Sequence, residues 1–160
     1  MKKPFVAVIG NRNSGKSTII RSLTGARTGQ FRGTVTDKTT SRTIEVIGSS
    51  PQENPLSASD LRKILKGAAS RLTCNGVVCA LQHTNPRTRL SMEEVLHEAI
   101  AQGFSVHAFV LDPDYSGNIG QEAVVITRLS RIGVIPIRID SQRFAHLNAV
   151  LINKRSRVAA

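Results

Sequence analysis

The chain has 160 residues, of which 40% are hydrophobic and 21% charged, the balance of one globular domain able to bury a single core. Lysine and arginine number 22 against 11 acidic residues, a formal net charge of +11, which favours polyanionic partners such as nucleic acid or the ribosome. No apolar run approaches the roughly 20 residues of a membrane span, and the polar residues Asn11, Arg12 and Asn13 cut short the signal-like opening, so a cytoplasmic protein is expected.

The first element is Phe5–Ile9, an apolar, strand-like run that leads into Gly10-Asn11-Arg12-Asn13-Ser14-Gly15-Lys16-Ser17-Thr18. This stretch satisfies G-x-x-x-x-G-K-[ST]. Glycines at both ends let successive N–H groups turn inward as an anion nest, and a helix starting near Gly15 adds the positive end of its dipole. Lys16 is expected to reach the β- and γ-phosphates, Ser17 to ligate Mg²⁺, and Thr18 to donate to the α-phosphate. The helix continues through Thr18–Leu23, with Ile19, Ile20 and Leu23 apolar. Strand, loop and helix together resemble the Walker A loop of P-loop nucleotide-binding proteins, which implies ATP or GTP bound with Mg²⁺.

Gly25–Arg42 follows, polar and rich in Gly, Thr and Arg. Thr43–Ile47 reads as a strand, GSSPQENP as a turn, and Ser59–Leu72 as a helix with Ser59 near its N-cap and Leu61, Ile64, Leu65, Ala68 and Leu72 on one face. Gly76–Leu81 reads as a buried strand. Ser91-Met92-Glu93-Glu94 is a capping box, opening a helix whose core face is Val95, Leu96, Ala99 and Ile100. Phe104–Leu111 is a strand, Gln121–Ile132 a helix, Val134–Ile139 a strand, and Ser141–Lys154 a helix expected to turn Phe144, Leu147 and Leu151 inward. Cys74 and Cys79 are read as reduced, packed thiols.

Strands separated by helices pair in parallel, and parallel strands buried on both faces read as continuous apolar runs. The expectation is therefore a single domain over 1–160: a three-layer α/β sandwich around a mainly parallel, five-stranded sheet, with the P-loop fold. Ligand groups belong outside the carboxyl ends of its strands.

The opening VAVIGNRNSGKSTIIRSLTGA resembles that of the translation-factor-like GTPases, and TDKTTSRT resembles their switch loop. That resemblance implies that Thr39 or Thr40 ligates Mg²⁺ and senses the γ-phosphate, and that Asp112 or Asp114 acts near the base or the metal. Where the family carries D-x-x-G, this chain has Ser49-Ser50-Pro51-Gln52; where it carries N-K-x-D, this chain has Leu111-Asp112-Pro113-Asp114. A second resemblance, of CALQHTNPRTR and the residues that follow, is to kinases of the polynucleotide-kinase and zeta-toxin type, and it makes Arg128 and Arg131 lid arginines. Three functions follow: a slow nucleoside triphosphatase working as a switch, with Lys16, Thr40 and Asp112 in its chemistry; an ATP-dependent kinase of a small molecule or polynucleotide; or a non-catalytic nucleotide-binding adaptor that holds nucleic acid or a partner protein.

Overall fold

A computed structural model describes residues 1–12, 14–84, 87–112 and 122–159. Among the described residues six strands and five helices follow in the order β1 Pro4–Ile9, α1 Lys16–Thr24, β2 Arg32–Thr36, β3 Thr43–Ile47, α2 Ala58–Ser70, β4 Cys74–Leu81, α3 Met92–Ala101, β5 Ser105–Asp112, α4 Glu122–Arg131, β6 Pro136–Asp140 and α5 Ala145–Ser156. All strands join one sheet in the order β2-β3-β4-β1-β5-β6. The pairs β1–β4, β1–β5, β3–β4 and β5–β6 are parallel; only β2 runs antiparallel, against β3.

Burial explains the strand composition. Phe5 to Ile9 and Val77 to Leu81 are inaccessible on both faces, because helices cover each side. One core gathers Phe5, Ala7 and Ile9 against Leu61 and Leu65 of α2, Leu96 of α3 and Leu129 of α4. The other gathers Val6, Val8 and Phe109 against Ile19, Ile20 and Leu23 of α1 and Ile152 of α5. The alternation of residues 5–9 between two cores is the three-layer sandwich.

The sixth strand is a correction to the expected five. RGTVT lies inside the stretch read as polar loop, and it pairs Arg32 with Ile47 and Thr36 with Thr43. Because β2 and β3 form a hairpin, the turn at 37–42 is carried to the amino-terminal edge of the sheet, away from the carboxyl ends where β1 meets the glycine-rich loop.

Smaller departures have local causes. Helix α2 starts one residue after Ser57, whose side chain accepts from Asp60 N at 3.0 Å, so Ser57 and not Ser59 is the cap. Ser91 caps α3 as expected, accepting from Glu94 N at 3.1 Å. Ile100 and Leu72 are exposed. On α5 the buried face is Asn148, Ala149 and Ile152, while Phe144 is 74% exposed and Leu147 45%. Asn148 is buried in spite of its polarity because its amide donates to the carbonyl of Asp140 at 2.9 Å. Cys74 and Cys79 are buried and unbridged, and burial pushes the Cys79 thiol up to about 12. Among the described residues no helix is long and apolar enough to cross a membrane.

Candidate functional site

The carboxyl end of β1 hands the chain straight into the loop. Gly10 N donates to Leu81 O of β4 at 3.1 Å, and Ser14 N closes a turn onto Asn11 O at 3.1 Å. A Cβ on Gly10 would stand 2.3 Å from Ser14 Oγ, so only glycine lets the loop fold this tightly. Gly15, with φ at 89°, is the left-handed residue from which α1 starts. Loop and helix N-terminus together are the geometry read from the sequence.

Lys16 turns back over the loop. Its ammonium donates to Gly10 O at 3.0 Å, to Asn11 O at 2.7 Å and to Ser14 Oγ at 3.4 Å. Ser14 and Lys16 are almost wholly buried. Burial pulls the Lys16 ammonium down to about 8, and the carboxylate of Glu53 acts in the opposite sense. Carbonyl oxygens hold the cation weakly compared with phosphate oxygens, because charge-assisted pairs are the stronger ones.

Beyond the loop opens a cavity of about 1160 Å³. Arg12, Ser14, Gly15, Lys16, Ser17 and Thr18 line one side. Gln30 comes from the segment between α1 and β2; Ser49, Gln52, Glu53 and Asn54 come from the segment after β3; Gln82 and Arg89 come from beyond β4. The 25–31 segment crosses close to the loop: a Cβ on Gly29 would lie 2.5 Å from Ser17 Cβ, and Phe31 O accepts from Gly48 N at 2.7 Å.

The loop after β3 is strapped in place by two arginines. Arg32 Nη2 donates to Asn54 O at 2.6 Å and Ser49 O at 2.9 Å, and Arg32 Nη1 to Pro55 O at 3.2 Å. Arg89 Nη1 donates to Gln52 O, and to Glu53 O at 2.8 Å. Gln52 completes the connection, giving its amide to Leu90 O at 2.7 Å and accepting from Gln82 N at 3.0 Å. None of these residues is among the candidate site residues of the sequence; Ser49 and Gln52 stand where D-x-x-G is expected, and that position is the signal for them.

Other expected site residues fall elsewhere. Thr39 and Thr40 sit in the hairpin turn at the far edge of the sheet, where Thr39 N donates to Asp37 Oδ1 at 2.8 Å and the Thr40 hydroxyl to Asp37 Oδ2 at 3.0 Å. They are turn residues, removed from Lys16 by the length of β3, and the metal and γ-phosphate roles expected of them have no geometric basis. Asp112 ends β5 level with Asp140 of β6, at the carboxyl rim but not among the described residues lining the cavity. Asn13 and Asp114 lie outside the described residues. Arg128 is engaged: its Nε donates to Glu93 Oε1, its Nη2 to Glu93 Oε2 at 2.6 Å, and its Nη1 to the carbonyl of His83. That clamp holds the Glu93 carboxyl below the usual range and leaves the guanidinium committed to the fold rather than to a phosphate.

The model of the 50S ribosome-binding GTPase family matches residues 5–121, which include the loop, the cavity and β1 to β5. The chain belongs to that family. This GTPase-family domain is therefore a P-loop nucleotide-binding domain with the mostly parallel sheet of its class. No curated protein matches it. Among solved structures it is similar to one titled APE1195, at 14% identity and a TM-score of 0.48, covering 98% of this chain and 95% of that one. It is also similar to the FeoB G-domain from Methanococcus jannaschii, at 18% identity and a TM-score of 0.46, with both chains covered completely.

The donor set suits Mg²⁺ bound together with a triphosphate. Ser17 brings an exposed hydroxyl to the cavity, and Mg²⁺ takes few protein ligands, filling its shell with phosphate oxygens and water.

Proposed function

We propose that this GTPase-family domain binds GTP with Mg²⁺ at the carboxyl rim of its sheet and hydrolyses it slowly as a switch. The observation carrying this reading is the buried Lys16 folded over the Gly10–Ser14 turn beside a large polar cavity, within the segment that matches the family. In this reading the loop N–H groups and the α1 N-terminus bind the phosphate chain. Lys16 exchanges its carbonyl partners for β- and γ-phosphate oxygens, and Thr18 donates to the α-phosphate. Ser17 would hold the metal, whose charge would offset that developing on the phosphate oxygens. Phosphoryl transfer needs positioning rather than a protein nucleophile, so hydrolysis proceeds without one.

The sensing segment of the switch is 25–31, not the threonines of the hairpin. It passes against Ser17 and brings Gln30 to the cavity. GTP is preferred over ATP on the strength of the family alone. The kinase reading loses support from Arg128, which is engaged with Glu93.

A partner reading accompanies the switch. The net charge of +11, in a family described by ribosome binding, supports ribosomal RNA as the polyanion that this cytoplasmic domain meets. Side-by-side titration with GTP and ATP, followed by phosphate release, tests the nucleotide reading. Tighter binding of GTP and slow release without a second substrate are expected. Equal millimolar affinity for both, or silence until a hydroxyl acceptor is added, overturns it.

A further inference from the structure

A carboxylate inside a cavity built for a polyanion poses an electrostatic problem. Among the described residues that line the cavity Glu53 is the one acidic side chain, set among Arg12, Lys16 and Arg89. It is exposed, but its backbone is held in place. Its N–H donates to Ser50 O at 3.1 Å and to Ser50 Oγ at 3.2 Å, and its carbonyl accepts from Arg89 at 2.8 Å. Its Oε1 accepts from the Gln82 amide. Gln82 is itself oriented, with its N–H on Gln52 Oε1 at 3.0 Å and its side-chain oxygen accepting from Thr84 at 3.1 Å. Ser50 and Arg89 therefore hold the Glu53 backbone and the Gln82 amide holds one carboxylate oxygen, while Oε2 has no hydrogen bond among the described residues.

Such a charge repels a bare triphosphate, and a divalent cation placed between the two turns that repulsion into attraction. Ser49, at the first position of the expected D-x-x-G, has only a hydroxyl to offer. One turn later the chain doubles back, with Asn54 N on Ser50 O at 2.9 Å and Asn54 Nδ2 on Ser49 Oγ at 3.2 Å, so the segment that carries Glu53 folds over Ser49 and Ser50, on the same cavity that both Ser49 and Glu53 line. We propose that Glu53 supplies the acidic group of the Mg²⁺ shell, its Oε2 accepting from a metal-bound water, in place of a carboxylate at position 49. The Gln82 amide is the positioning group that aims it. This rests on the nucleotide reading above and adds to it the residue by which metal and nucleotide reinforce each other.

The test is the affinity of a fluorescent GTP analogue, measured with Mg²⁺ and with a chelator, for wild type and for Glu53→Gln. Glutamine keeps the shape and removes the charge. Wild type is expected to bind more tightly with the metal. In Glu53→Gln that metal-dependent gain falls about ten-fold or more, as for lost outer-shell partners, while affinity in chelator stays equal or rises because a repulsive charge has gone. Adding Ser49→Asp to Glu53→Gln restores the gain. A gain that persists in Glu53→Gln overturns the proposal and leaves nucleotide binding standing. An equal loss under both conditions makes Glu53 merely structural and also overturns it; the thermal midpoint of each variant reports a folding defect. If wild type binds no analogue in either condition, the nucleotide reading fails first.

Discussion

Two loops face each other across the same cavity, and they are built in opposite ways. The loop at 10–18 takes its shape from neighbours in sequence: a tight turn over Gly10, a left-handed Gly15 and a lysine folded onto its own carbonyls. The loop at 48–55 takes its shape from far away, through Arg32 of β2 and Arg89 beyond β4. Local construction is readable from a motif. Construction by distant arginines is not, because nothing in SSPQEN announces which side chain will grip its carbonyls.

The contrast predicts different failures. The largest expected effect is on binding in the first loop: Lys16→Ala removes the buried cation and should weaken GTP by about 3 kcal/mol, on the order of 100-fold. Its thermal midpoint should hardly move, because the buried ammonium gains little from its carbonyl partners. A protein that binds as before would show that the loop does not hold phosphate. Next comes the second loop: Arg32→Ala leaves the carbonyl of buried Ser49 without its donor, releases the exposed carbonyl of Asn54 to water, and should cost about 1–3 kcal/mol of stability. That corresponds to a thermal midpoint lower by roughly 2–10 °C, with faster proteolysis near 49–55. Equal stability in that variant would break the comparison, since the strap would then be idle.

The smallest effect lies outside both loops, at the Glu93–Arg128 pair, and supplies a baseline. Glu93 is held below its ordinary value of 4.5, first by the hydrogen bond from Arg128. Its contribution is therefore present above that value and disappears as pH falls through the lower, folded one. Against Glu93→Gln, wild type should be more stable by at most about 1 kcal/mol near neutrality, and the two melting curves should converge in acid. A difference that grows on acidification would contradict the sign of the shift.

How much was legible follows the same division. The strand-loop-helix unit of 5–24 could be read because each feature is set by adjacent residues. Strand β2 could not: RGTVT is short, carries Gly33 and lies among threonines and arginines, so its only apolar residue gives no pattern. Missing it moved Thr39 and Thr40 to the wrong end of the sheet. The inward face of α5 escapes the apolar pattern because a buried asparagine, whose amide donates to Asp140 O, occupies the place where the pattern seeks an apolar residue. Arg128 looked like a phosphate ligand for want of its partner, thirty-five positions away in Glu93.

The open sheet has one further property. Its outermost strands each leave a row of backbone groups available to another chain, the usual route to self-association. β2 starts with an arginine committed to the neighbouring loop and shows Thr34 and Thr36 to solvent. β6 starts with Pro136, which has no N–H, and shows Arg138 and Asp140. On the β6 margin the missing N–H of Pro136 and the exposed charges of Arg138 and Asp140 disfavour the addition of a further strand, so the two margins of the sheet are unequal as templates for another chain.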